Sequence, residues 1–171
     1  NITFIQEGVF KNDVLGLLSR FKHVLWLVDD NFIIRNFSLN NLTTLLDEDN
    51  DVIGISLRLG KNTTYCYPRD KSQKLPNFTE LSDGLLKYNW TLSELGFGYP
   101  LEVSSSIYRT SDLFPLLSLI DFKNPNTLES QMDSIKNIFS SKYPFLICPN
   151  ISYAFCNPVN LVQNQYIANR N

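Results

Sequence analysis

Histidine is almost absent from this chain: His23 is the only one in 171 residues. Ser-His-Asp hydrolysis, Cys-His catalysis and histidine-ligated zinc all need imidazoles that the sequence does not supply. Glycine is also sparse and dispersed, seven residues with neither a GxGxxG nor a GxxxxGK[ST] spacing, so neither glycine fingerprint for nucleotides is present. The three cysteines, Cys66, Cys148 and Cys156, are odd in number and lack a CxxC pair, which points away from a disulfide framework or a zinc site. Long hydrophobic runs are missing too. The longest, residues 113–120, is interrupted by Pro115 and Ser118 and is too short to span a bilayer, so no transmembrane segment is expected. A surplus of positive charge is lacking as well: the net charge of -2 and an isoelectric point near 5.4 exclude the basic footprint of nucleic-acid binding.

What is present is a chain with enough apolar residues, 43%, to bury one core, and residues 1–171 read as a single domain. Reduced thiols and the short apolar runs point to a cytoplasmic protein, with peripheral membrane association left open. Seven Asn-x-Ser/Thr triplets, starting at Asn1, Asn36, Asn41, Asn62, Asn77, Asn89 and Asn150, keep a secreted or lumenal location open too.

Helical and strand periods alternate as in an α/β domain. Residues 2–5 read as a strand. Asn12 is positioned to cap a helix bearing Val14, Leu17, Leu18 and Phe21, and the run 24–28 (VLWLV) reads as a parallel strand buried on both faces. Ser38 can cap a second helix with Leu39, Leu42, Leu45 and Leu46 on one side. Residues 53–59 alternate as a half-buried strand, which 63–67 could pair with through a turn at 60–62. Residues 68–99 read as a long irregular loop. Then come a strand at 104–108, helices starting at Ser111 or Asp112 and at Asn126, short strands at 145–148 and 153–155, and a terminal segment around Val162. The expected architecture is a mixed, mostly parallel sheet with flanking helices.

Chemistry falls to the carboxylates. The strand at 24–28 ends in Asp29, Asp30 and Asn31, and acidic groups at the carboxyl end of a buried strand are suited to a hard divalent cation, Mg²⁺ or Mn²⁺, that shares phosphate oxygens with a substrate. Neighbouring strand residues point to opposite faces, so one of the pair can bind directly while the other acts through water. The alternative is a turn, which these residue types also favour. Glu129 is a candidate general base, but Asn126 and Glu129 also have the spacing of a capping box. Glu102 with Ser105 and its neighbouring serines, and Trp90 as a stacking surface, are weaker candidates for contact with an acceptor.

The segment 24–31 (VLWLVDDN) resembles the strand and DxD-type motif of GT-A-fold, Rossmann-like glycosyltransferases, with Asn31 where a further Asp is common. Residues 97–101 (FGYPL), 107–110 (IYRT), 124–129 (NPNTLE) and 158–163 (PVNLVQ) resemble blocks of bacterial proteins grouped with family-2-like transferases. The resemblance implies transfer of a sugar from a nucleotide-sugar donor to a saccharide or other hydroxyl acceptor. It implies that Asp29 and Asp30 hold the metal and that these two with Asn31 face the donor diphosphate. It also implies a start missing from this chain, because the family places about two βα units before its acidic motif. A metal-dependent nucleotidyltransferase and a non-enzymatic binding domain are the rival functions, since fold and acidic motif are shared across many specificities.

Overall fold

Residues 52–56 (VIGIS) are β-branched, small or apolar, and all five are closed off from solvent. They form the third strand of a six-stranded sheet at the centre of the computed structural model, which describes residues 3–157. In chain order the elements are α1 (Phe10–Leu18), β1 (His23–Trp26), β2 (Asn31–Ile33), α2 (Leu39–Glu48), β3 (Val52–Ser56), β4 (Tyr65–Cys66), β5 (Lys71–Ser72), β6 (Phe78–Glu80), β7 (Leu85–Asn89), β8 (Ser106–Arg109), α3 (Thr110–Leu119), α4 (Pro125–Ile135), β9 (Phe145–Pro149) and β10 (Ala154–Cys156). Short 3-10 turns fill several of the intervening stretches.

The main sheet runs β1-β8-β3-β9-β7-β6. Its α/β class and flanking helices agree with the sequence. Its direction does not: β3 and β9 are parallel, and the other four pairings are antiparallel. The strand at 24–28 is shorter than expected and lies at the sheet edge, antiparallel to β8, with all four residues half-buried. An edge strand has one neighbour and needs less apolar cover than a central one.

Both faces are covered. On one, Val14 and Leu18 of α1, Leu113 and Leu117 of α3, and Leu128 and Met132 of α4 pack on Ile53, Leu86, Tyr88, Tyr108 and Leu146. On the other, Leu42 and Leu46 of α2 pack on Val52, Ile55, Ile107 and Ile147. Each such side chain contributes roughly 1.5–3 kcal/mol on burial. The alternation from Ile107 to Tyr108 and from Leu146 to Ile147 splits consecutive residues between the two cores, as a pleated strand requires.

Several boundaries differ from the sequence reading. Residues 3–7 form no strand and Phe4 is exposed. The first helix begins at Phe10 with Val9 as its N-cap, so Asn12 lies inside it. Ser38 does cap α2, accepting from the Asn41 N–H at 3.3 Å. β4 pairs with β5 rather than with β3. The expected loop at 68–99 contains β6 and β7, and β7 is an interior strand between β9 and β6. The segment around Val162, like the block at 158–163, lies outside the described residues.

Gly54 is the one glycine on which the site depends. It stands opposite Tyr108, and a Cβ there would come within 2.6 Å of the tyrosine ring. The bare backbone lets the ring lie across β3. The Tyr108 hydroxyl then donates to the Pro100 carbonyl at 2.9 Å and accepts from the Glu102 N–H at 3.0 Å. This fixes the loop that delivers Glu102.

Candidate functional site at the carboxyl edge of the sheet

β1, β3 and β9 all end at one edge, where the antiparallel β8 and β7 begin, and the registers Trp26 with Ser106, Ser56 with Ser106 and Leu85 with Pro149 define it. Ser105 stitches this edge together. Its N–H donates to the Trp26 carbonyl at 2.9 Å, and its own carbonyl accepts from the Leu57 N–H at 2.8 Å. It does so with φ at 64°, the left-handed region that a non-glycine residue occupies only when its surroundings enforce it. The Leu57 carbonyl accepts from the N–H groups of Tyr153 and Ala154, which hangs the β2–β10 ribbon on the end of β3.

Residues 29–31 form the turn between β1 and β2. Asn31 closes it, its side-chain oxygen accepting from the Val28 N–H at 2.9 Å and its backbone N–H donating to the Val28 carbonyl at 3.1 Å. Asp29 is exposed and Asp30 half-buried. The Cys156 thiol donates to Asp30 Oδ1 at 3.0 Å, and the Asn157 N–H donates to the Asp30 carbonyl at 3.0 Å. Burial and the facing Asp30 push the Cys156 thiol up to about 12, while a hydrogen bond with Ser104 opposes them. Cys156 therefore joins the acidic turn to the segment 102–106. His23 lies at the other end of β1, bonded to Asp47 at 2.8 Å.

Glu102 is only 3% exposed, a large desolvation for a carboxylate, and both of its oxygens are answered twice. Oε1 accepts from the hydroxyls of Ser56 and Ser106, each at 2.8 Å. Oε2 accepts from Arg58 Nε at 2.9 Å and from Arg58 Nη2. The pairing raises the Arg58 guanidinium further, against the opposing effect of burial. Glu102 is thus the counter-ion of Arg58, while Ser105 is fully buried and Trp90 is 3% exposed. The Trp90 indole N–H donates to the Tyr143 carbonyl at 2.7 Å.

Glu129 is not the N3 residue of its helix. Asn124 is the N-cap, Pro125 opens α4, and the capping box is completed by Thr127, whose N–H donates to Asn124 Oδ1 at 2.9 Å. This corrects the capping box expected at Asn126 and Glu129. One full turn in, Glu129 reaches the 102–106 segment, where Oε1 accepts from the Val103 N–H at 3.3 Å. Burial first, and the Glu102 charge second, raise its carboxyl from the ordinary 4.5 to about 7.

Three buried donors at this edge, Trp26 Nε1, Asn31 Nδ2 and Ser105 Oγ, have no partner among the described residues. Nor do the described residues include a cluster of three His, Cys, Asp or Glu side chains able to hold a metal by themselves. Arg58, Ser56 and Cys156 were not singled out from sequence. The polar alternates Ser56 and Arg58 on an otherwise apolar strand, facing Glu102 and Ser106 in another segment, were the available signal.

Across 189 aligned positions the chain is 25% identical to the bifunctional glycosyltransferase pgtA of Dictyostelium discoideum. The match covers 96% of this chain and spans 24% of that protein's length. No family model matches the chain, and no solved structure matches it. None of the helices among the described residues is long and apolar enough to cross a membrane.

Proposed function

We propose that this chain transfers a sugar from a nucleotide-sugar donor to a hydroxyl acceptor, working at the carboxyl edge of its sheet. The observation that carries the reading is that one short segment, 102–106, touches both parts such a reaction needs. Through Ser104 and Cys156 it meets the acidic turn at Asp30, and through Val103 it meets Glu129, a carboxyl raised to about 7. The similarity to a protein named glycosyltransferase supports the same chemistry.

The donor set of the turn fits a hard divalent cation, Mn²⁺ or Mg²⁺. Asp29 is exposed, Asp30 keeps Oδ2 clear of the Cys156 contact, and the described residues offer no third acidic or imidazole ligand. Such a site relies on substrate phosphates to complete the coordination. A bound cation would supply Lewis-acid stabilisation of the departing diphosphate. The Asn31 side chain fixes the turn that presents both carboxylates. Glu129, ionised above pH 7, accepts the proton of the acceptor hydroxyl, and a base poised near the working pH is the most effective kind.

The test is calorimetric titration of uridine diphosphate with and without Mn²⁺. The Asp29→Ala/Asp30→Ala protein is expected to lose the manganese-dependent part of binding. Equal manganese dependence in the wild-type and double-variant proteins would sink the reading.

A further inference from the structure

A cleft of about 290 Å³ opens beside α2, on the face of the sheet opposite α4. Three separate parts of the chain enclose it: α2 with the residues leading into it, the turn between β6 and β7, and Tyr153, just before β10. Its size lies near the lower end, about 300 Å³, of small-molecule sites.

The cleft is preformed. Leu42 and Leu85, 3% and 4% exposed, give it an apolar floor. One wall is a parallel aromatic stack of Phe37 on Tyr153, with ring centroids 5.6 Å apart and planes inclined by 8°. The backbone fixes Tyr153: its N–H donates to the Leu57 carbonyl at 2.8 Å, and its own carbonyl accepts from the Ile34 N–H at 2.8 Å. Another wall is the β6–β7 turn, where Asp83 and Gly84 take φ values of 56° and 71°. The Gly84 carbonyl pins that turn by accepting from the Asn150 N–H at 2.7 Å.

The rim is polar and unanswered. The side chains of Thr44, Glu48, Ser82 and Asp83 are exposed and make no hydrogen bond or ion pair among the described residues. Asn41 adds a donor, because its Oδ1 accepts from the Ser38 hydroxyl at 3.0 Å and its Nδ2 is left over. Among the described residues no lysine or arginine lines the cleft, so its two carboxylates repel an anion. A basic ligand would use the acceptors alone. Carboxylates, hydroxyls and an amide donor around an apolar floor instead match a ring whose hydroxyls both donate and accept and whose C–H frame is apolar.

We propose that this cleft binds a neutral saccharide unit, its C–H face on the Leu42 floor and the Phe37–Tyr153 wall and its hydroxyls on Glu48, Asp83 and Asn41. The site is separate from the glycosyl-transfer reading, since Asp29, Asp30 and Glu129 do not line it.

The test is amide NMR titration of the isotope-labelled chain with the methyl glycosides of glucose, galactose, mannose and N-acetylglucosamine. At least one is expected to shift the amides of residues 37–48, 82–85 and 153 in a saturable way. Glu48→Gln/Asp83→Asn keeps the side-chain shapes and removes both charges, and asparagine also tolerates the backbone at position 83. Thr44→Arg places a long side chain at the cleft from an exposed helical position. Each variant, once circular dichroism shows the fold retained, is expected to bind that glycoside about ten-fold or more weakly. Asp29→Ala/Asp30→Ala is expected to bind it within about threefold of wild type. No shift of these amides by any of the four glycosides overturns the proposal, as does wild-type affinity in either cleft variant. Loss of binding in Asp29→Ala/Asp30→Ala overturns it by placing the sugar at the acidic turn. Shifts produced by N-acetylarginine amide and by none of the glycosides overturn it in favour of a basic ligand.

Discussion

Replacing Glu102 with alanine is expected to destabilise the chain by about 3–5 kcal/mol, lowering its thermal midpoint by roughly 6–20 °C. The carboxylate is 3% exposed and answers four donors. Its removal leaves the Arg58 charge half-buried without a counter-ion and strands the hydroxyls of Ser56 and Ser106. Losing one partner of such a pair costs far more than the pair itself contributes, because the desolvation of the survivor is no longer offset. With typical domain stabilities of about 5–15 kcal/mol, the loss is a large share of the total. Differential scanning calorimetry checks it. A change below about 2 °C, well under the shift that scale implies, would mean that the four contacts are not formed in solution. The Arg58→Gln/Glu102→Gln pair is expected to recover much of the loss, since it buries no ion.

Glu129→Gln is expected to lower turnover by about 10²–10⁴-fold, the usual scale for removing a general base. The wild-type rate is expected to rise with pH through an apparent value of about 7, and the variant to lose that limb. Stability moves the other way. The folded-state carboxyl sits at about 7 against an ordinary 4.5, so the folded chain binds this proton more tightly than the unfolded chain does. Its contribution is fully present below pH 4.5 and is lost as the pH rises through 7. Above pH 7 the glutamine variant is therefore expected to be more stable than wild type, by up to about 3 kcal/mol on the scale of about 1.36 kcal/mol per unit. The substituted amide retains an oxygen for the Val103 N–H. Urea denaturation at pH 5 and pH 8 measures the effect, and a stability difference that does not change between them would contradict a half-buried carboxyl raised to about 7.

The helices were the legible part of the fold. Ser38 with Leu42 and Leu46 announces α2 through cap and period together, and the structure agrees at both. Strand direction was not legible, because a run such as 24–28 records burial and period but not which way its neighbour runs. β7 escaped notice for a different reason. Leu85, Leu86 and Tyr88 are buried, but they follow Asp83 and Gly84, whose positive φ values mark the tight turn from β6, and the polar surroundings read as loop. At the site, the acidic turn was visible because its residues are adjacent in sequence. The pair Arg58 and Glu102 was not, since 44 positions separate them and only the β3–β8 register brings their segments together. The cap of α4 was recoverable: Pro125 fits the first helical position, which makes Asn124 the residue before it and leaves Glu129 available for the site.

The most direct test of the central claim is a crystal of this chain grown or soaked with Mn²⁺ and uridine diphosphate and measured at the manganese edge. The expected result is an anomalous peak at the carboxylate of Asp29 or Asp30, with the diphosphate bound beside that turn. A well-diffracting crystal with no peak at that turn, or with the diphosphate bound away from the carboxyl edge of the sheet, would contradict it.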